Sequence, residues 1–150
     1  MTVLDTNLVS VMINPRDAER YPKTLALVES LLKTDGLSIS AVTLFELRRG
    51  LEKLRLSGSG RSKLVKFEKL LEYVEVLGLD GSDGGAWSVA ARIWARASME
   101  KPAINFLDAD LLVAATAIFH GRPFATAEKG LVAALHQLGF ASSAQLIALE

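Results

Sequence analysis

Short apolar runs alternate with longer amphipathic stretches along this chain, a pattern typical of an α/β fold. Runs rich in Val, Leu and Ile predict short strands at residues 2–4, 37–39, 76–79 and 123–125. Apolar residues at helical spacing predict helices over residues 8–12, 23–33, 42–56, 61–76, 86–99, 108–120 and 131–138. This alternation predicts a mostly parallel sheet with helices on both faces, a three-layer α/β/α sandwich.

Two connections are predicted to be irregular. Residues 14–17 are predicted to form a loop, and residues 57–60, which alternate Ser and Gly, form a flexible connector. This connector is too short to separate domains, so the helices on either side of it are predicted to form a protruding hairpin. Residues 1–150 are therefore expected to form a single domain.

Composition excludes several classes of protein. The chain has 150 residues, half of them apolar, with no cysteine and with 17 basic residues balanced by 17 acidic ones. No apolar run approaches the roughly 20 residues of a membrane helix, and the first residues lack the pattern of a signal peptide. These features indicate a cytoplasmic protein without disulfides or thiolate metal sites.

Because the net charge is zero, any contact with nucleic acid must use a local basic patch, and the hairpin is the densest basic region.

Four acidic residues fall where predicted strands end or helices begin. Asp5 follows the first strand directly, and Glu128 follows the last one. Asp110 lies in the first turn of an otherwise apolar, alanine-rich helix, and Glu46 lies near the start of another. Because ligands bind at the carboxyl edge of a parallel sheet, these acids are expected to converge in one cleft.

Asp108, Asp5 and Glu46 also have a simpler structural interpretation, whereas Asp110 is harder to explain in that way. Asp108 suits a helix N-cap, and Asp5 suits a turn whose following helix is capped by Thr6 or Asn7. Glu46 suits a solvated pair with Arg49, one turn along the helix. On the residues alone these alternatives remain open. Gly50, within the same helix as Glu46, is predicted to allow a close helix approach.

Four short motifs occur together in order along the chain: Leu4-Asp5-Thr6-Asn7, Thr43-x-x-Glu46-Leu47-x-x-Gly50, Asp110-x-Leu112-Val113-Ala114-Ala115 and Thr126-x-Glu128. In combination they resemble the PIN-domain ribonucleases, and they are most similar to the VapC-type toxins of bacterial type II toxin–antitoxin systems. The resemblance covers nearly the whole chain. It departs at Glu128, where the family more often has aspartate or asparagine.

The resemblance implies a metal-dependent endoribonuclease that cleaves RNA with the help of Mg²⁺ or Mn²⁺. Its catalytic acids correspond to Asp5, Glu46, Asp110 and Glu128, and Asp108 supplements or replaces Glu128 as a metal ligand. Such hard cations prefer oxygen ligands. Thr6, Asn7 and Thr126 are suited to orient these acids through hydrogen bonds. The candidates for holding the RNA backbone are Arg48, Arg49, Lys101 and Arg122.

Two other functions remain open. A haloacid-dehalogenase-like phosphatase also places an acid after its first strand, but the second aspartate that it requires is Asn7 here. A PIN-like module without catalytic activity would serve only to bind a partner, and the unusual Glu128 keeps that alternative open.

The partners implied by the resemblance are a cognate antitoxin protein, an RNA substrate and a second copy of the chain. Trp87 and Trp94 have a spacing that indicates a core or subunit contact rather than base stacking. The antitoxin is expected to lay a helical arm on the hairpin and to insert a basic residue among the acids.

Overall fold

A parallel sheet of five short strands forms the centre of the protein. The computed structural model describes residues 1–140 and 144–150. The strands lie side by side in the order β3-β2-β1-β4-β5, and every neighbouring pair is parallel. Their bounds are β1 Thr2–Leu4, β2 Leu37–Ser40, β3 Val74–Leu77, β4 Phe124–Thr126 and β5 Ala144–Leu146.

Helices connect the strands and cover both faces of the sheet. Within the described residues they are α1 Thr6–Ile13, α2 Pro15–Arg20, α3 Pro22–Thr34, α4 Ala41–Leu56, α5 Arg61–Leu71, α6 Gly85–Met99, α7 Asp108–Phe119 and α8 Lys129–Gln137, with a short 3₁₀ helix at Ser82–Gly84. None of these helices has the length and apolarity needed to cross a lipid bilayer.

The sheet separates two apolar cores. Val3 and Phe124 point into one core, which is packed by α6 and α7. Leu4 and Ala125, the next residue of each strand, point into the other core, which is packed by α1, α4 and α5. Because β1 is buried on both faces, it has the continuous apolar character expected of a central parallel strand. The predicted three-layer sandwich is confirmed.

Three local predictions were wrong. Residues 15–20 form α2 rather than a loop, because Pro15 occupies the first helical turn and the Asn14 side chain caps it through the Arg16 N–H. The α5 helix ends at Leu71, and β3 starts at Val74, where pairing with Leu37 sets the register. The β5 strand was not predicted, and part of the chain leading into it lies outside the described residues.

The hairpin of α4 and α5 has a buried base and an exposed turn. Leu51, Phe67 and Leu70 are buried in the core beneath it, whereas Leu56 at the turn is 79% exposed. Gly50 faces open space, since a Cβ at this position would meet nothing within 4 Å. The prediction that Gly50 allows a close approach was therefore wrong.

The carboxyl ends of the central strands meet at one edge of the sheet. Leu4 pairs with Ala125, and the Asp5 N–H donates to the Ala125 carbonyl over 2.9 Å. The residues that follow β1 and β4 are thereby fixed side by side. The α4 helix starts at the same edge, because the Ser40 side chain at the end of β2 caps it.

Candidate functional site

Asp5 is a buried carboxylate at the end of the central strand. It is 3% exposed, and its side chain accepts hydrogen bonds from the Thr6 N–H over 2.8 Å and from the Thr126 hydroxyl over 2.7 Å. Asp5 itself therefore caps α1, not Thr6 or Asn7 as predicted. Burial raises the pKa of Asp5, the two hydrogen bonds oppose this rise, and the charges of Glu46 and Glu128 add to it.

Glu46 reaches the same edge from the second turn of α4. Its Oε1 accepts a hydrogen bond from the Thr6 hydroxyl over 2.8 Å, and that hydroxyl lies 3.1 Å from the hydroxyl of Thr43. The Arg49 guanidinium lies 3.9 Å from Oε2, at the limit of an ion pair. The predicted pair with Arg49 thus exists, but the shorter contact directs Glu46 towards the residues next to Asp5.

Asp110 enters from the first turn of α7 and is half-buried. Burial raises its pKa to about 6, and the charges of Asp5, Glu128 and Glu46 contribute to the rise. Each of these three acids is therefore close enough to repel Asp110.

Asp108 is exposed on the same helical turn. The N-cap of α7 is Leu107 rather than Asp108, so the predicted cap was wrong. Asp108 is not among the acids that raise the pKa of Asp5 or Asp110.

Glu128 completes the acidic cluster from the start of α8. Its backbone N–H donates to the Thr126 hydroxyl over 3.0 Å, and the Asn7 amide donates to its Oε1 over 3.4 Å. Its side chain is the most exposed of the four, yet its charge acts on both Asp5 and Asp110. The structure thus brings Asp5, Glu46, Asp110 and Glu128 together, as expected, with Thr6, Asn7 and Thr126 between them.

The donor set of this acidic cluster fits a hard divalent cation. All candidate ligands are carboxylate oxygens, and the buried Asn7 Oδ1 beside Glu128 has no hydrogen-bond partner among the described residues. Within that part of the chain, no three acidic or histidine side chains are placed to enclose an ion by themselves. A cation that keeps several waters, as Mg²⁺ does, needs only one or two direct carboxylates and suits such an open arrangement.

The four basic residues predicted to hold RNA have different surroundings. Arg48 pairs with Glu68 and stacks on Phe67. Arg49 is 63% exposed next to Glu46, and its guanidinium lies over the Phe45 ring.

The other two predicted cations lie outside α4. Lys101 is exposed in the loop before α7. Arg122 precedes β4 and pairs with Glu75 of β3, at the amino edge of the sheet. Arg122 is therefore on the opposite edge from the acids, because the strands are parallel and the acids follow their carboxyl ends.

Two further features lie around the site. Thr43 is fully buried and positions the Thr6 hydroxyl, and only its place one helical turn before Glu46 could have indicated this role. Trp87 and Trp94 are 52% and 58% exposed, so they do not belong to the core of this chain. Trp87 and Phe45 line an apolar pocket that also touches Glu46.

Comparisons with known proteins agree with this architecture. No curated protein matches the chain. The solved structure of VapBC2 from Rickettsia felis bound to promoter DNA has a similar chain, with a TM-score of 0.69 and 19% identity over 99% of this chain and 98% of that one. FitAcB from Neisseria gonorrhoeae matches with a TM-score of 0.66 and 28% identity over 91% of this chain and 94% of its own.

A third structure has a similar level of identity. VapBC-5 from Mycobacterium tuberculosis, a member of the VapBC family of toxin–antitoxin systems, matches with a TM-score of 0.54 and 26% identity over 98% of this chain and 97% of its own. The model of the PIN domain family matches residues 2–134, which include all four acids of the cluster. This chain therefore belongs to the PIN domain family.

Proposed function

We propose that this protein is a Mg²⁺- or Mn²⁺-dependent endoribonuclease and the toxin of a toxin–antitoxin pair. The observation that carries the proposal is the convergence of Asp5, Glu46, Asp110 and Glu128 at one sheet edge, where burial and the other three acids raise the pKa of Asp110. A protein gathers mutually repelling carboxylates where a cation offsets the repulsion. Because the chain belongs to the PIN family, a haloacid-dehalogenase-like phosphatase is not favoured.

The four acids have distinct tasks in this proposal. A bound Mg²⁺ or Mn²⁺ supplies Lewis-acid polarisation of the phosphodiester and activates a water for attack. Asp5, which two hydrogen bonds fix at the end of β1, and Asp110, whose pKa burial and the other acids raise, would be the direct ligands of such an ion. Glu46 and Glu128 hold waters around the site and complete its negative charge. Glu128 is preferred over Asp108 as the fourth acid because its charge acts on both Asp5 and Asp110.

Neighbouring polar residues keep the acids in place. Thr126 fixes one oxygen of Asp5, and Thr6 and Thr43 fix Glu46. Asn7 holds Glu128 and leaves its own Oδ1 available. Arg49 and Lys101 are exposed and remain proposed contacts for RNA phosphates, with the ion-paired Arg48 beside them.

Two protein partners follow from this proposal. A cognate antitoxin is supported by the similar chains, which come from VapBC and FitAcB structures. A homodimer is supported by Phe45, Trp87 and Trp94, which are each more than half exposed. Such large apolar surfaces typically mark protein contacts. The proposed activity takes place in the cytoplasm, where the RNA substrate is found.

The first prediction concerns cleavage of RNA by the purified protein. We expect cleavage with Mg²⁺ or Mn²⁺ and none with EDTA. Asp5→Asn and Asp110→Asn should each lower the cleavage rate by more than about 100-fold, which exceeds the typical cost of losing a supporting residue. Glu46→Gln should be severely impaired and Glu128→Gln less so. Thr126→Val should lose about 10- to 100-fold, because it only orients Asp5.

The matched control is Asp108→Asn, which removes an exposed carboxylate from the same helical turn as Asp110. It should keep most of the activity, and circular dichroism should show that every variant is folded. Wild-type cleavage in EDTA, or full activity of Asp110→Asn, would contradict the proposed site. A folded wild type that cleaves no RNA with either metal would favour the inactive partner-binding module.

The second prediction concerns the stability of the metal-free protein. The pKa of Asp110 is about 6 in the folded state, against an ordinary value of 3.8, so the folded state binds the proton more strongly. The stabilising effect of that proton is present below about pH 4 and is lost as the pH rises through 6. In EDTA, Asp110→Asn should therefore be more stable than wild type at pH 8, and this advantage should shrink towards pH 4.

Urea denaturation at both pH values measures this difference, with Asp108→Asn as the control. Adding Mn²⁺ at pH 8 should stabilise the wild type more than Asp110→Asn, because only the wild type keeps the full ligand charge. An Asp110→Asn protein that is less stable than wild type at pH 8 in EDTA would contradict the repulsion inferred here.

The third prediction concerns assembly. Sedimentation at micromolar concentration should show a dimer for the wild type and a shift towards monomer for Trp94→Ala. Leu27→Ala, which truncates a 45% exposed side chain on α3, is the control and should leave the dimer unchanged. A wild type that sediments only as a monomer would exclude the proposed homodimer.

The fourth prediction concerns inhibition by an antitoxin. Co-expression with the protein encoded next to this one should give a complex that cleaves RNA more slowly than the free protein. An arginine of the partner that enters the acidic cluster would offset the repulsion there. A neighbour that does not bind, or a complex as active as the free protein, would reduce the proposal to a stand-alone nuclease.

A further inference from the structure

A surface groove leads from the acidic cluster along α1 to the start of α5. Its inner part lies between α1 and the hairpin and ends at Glu46. Its outer part is lined by Arg16, Arg61 and Lys63. The two parts share the lining residues Asn14, Leu54 and Lys63, so they lie next to each other on the surface.

The three cations of the outer part form no ion pair with any acid among the described residues. Among the described residues, the ion pairs of basic side chains involve Arg48, Arg49, Arg55 and Arg122. Arg16 and Arg61 are exposed, and Lys63 is half-buried. The outer part of the groove therefore carries three positive charges that nothing in the described chain neutralises.

We propose that Arg16, Arg61 and Lys63 form a basic track that binds backbone phosphates of single-stranded RNA on one side of the cleavage point. This inference rests on the proposed function and adds a binding subsite to it. Charge complementarity favours a polyanion at this end, and the adjoining inner part of the groove reaches Glu46 of the acidic cluster. The helix α1, which begins next to Asp5, covers about 12 Å at 1.5 Å per residue, a distance that a few nucleotides span.

The start of α5 brings two of these cations to the groove. Gly60 has a φ of +79°, and a Cβ there would lie 2.7 Å from the Leu54 Cβ, so the chain turns tightly against α4. This turn places Arg61 and Lys63 beside Leu54 on the groove wall. Because the contacts are to phosphates, the track should add affinity without choosing a base sequence.

The test measures RNA binding without turnover. A short labelled single-stranded RNA is titrated against the full chain carrying Asp110→Asn, between about 50 and 200 mM salt. The track variant adds Arg16→Gln, Arg61→Gln and Lys63→Gln. The matched control adds Lys33→Gln, Lys66→Gln and Lys69→Gln, which removes three charges from a different groove that contains none of the four acids.

Affinity for RNA falls as salt rises, and we expect this fall to be less steep for the track variant. The slope of log affinity against log salt should decrease in magnitude by about 2, at about 0.7 for each lost phosphate contact. The control variant should keep the slope of the parent protein, which carries only Asp110→Asn. Replacing Arg16 and Arg61 by Lys instead of Gln should largely restore that slope. An unchanged slope in the track variant, or an equal loss in the control, would overturn the proposal. It would also be overturned if the track variant lost only antitoxin binding, since the groove would then hold the protein partner instead.

Cleavage by the wild-type protein is measured separately. A protein that binds RNA through the track but never cleaves it would contradict the proposed nuclease function and support the track. If the wild type cleaves RNA but the track variant keeps an unchanged salt slope, the nuclease function is supported and the track is contradicted.

Discussion

The structure depends on keeping one carboxylate buried at the end of its central strand. Asp5 is 3% exposed and forms no ion pair with a basic residue among those described; two hydrogen bonds, from the Thr6 N–H and the Thr126 hydroxyl, support it. Burying a charge is costly unless it is paired and hydrogen-bonded. The pairing of β1 with β4 meets part of this requirement, because it sets Thr126 next to Asp5. The start of α1 meets another part, through the Thr6 N–H.

The same geometry accounts for the rest of the site. Thr6, held at the start of α1, donates to Glu46, and Thr126 accepts from the backbone of Glu128. Each acid is thus linked to Asp5 through one threonine, except Asp110, which approaches from α7 and is affected mainly by burial and charge. A site built this way is rigid around Asp5 and more adaptable at Glu128, whose side chain is exposed.

The sequence allowed the convergence of the acids to be predicted because parallel strands end at the same edge. Asp5 and Glu128 follow apolar runs directly, so their placement needed only the direction of the strands. Features that depend on strand order or on packing could not be predicted. The pairing of Arg122 with Glu75 and the exposure of Trp94 both depend on packing, and the spacing of the tryptophans suited either a core or a subunit contact. The α2 helix was missed because a proline after asparagine fits both a loop and a capped helix.

Asp5, Glu46, Asp110 and Glu128 are proposed to act together on one divalent-cation site. The most direct measurement is anomalous scattering from crystals of the protein soaked in Mn²⁺. We expect a manganese peak among these four side chains, with Asp5 and Asp110 as direct ligands and waters between the ion and Glu46 or Glu128. Crystals that bind Mn²⁺ only elsewhere, for example at Asp108, while the four carboxylates remain without an ion, would contradict the shared site.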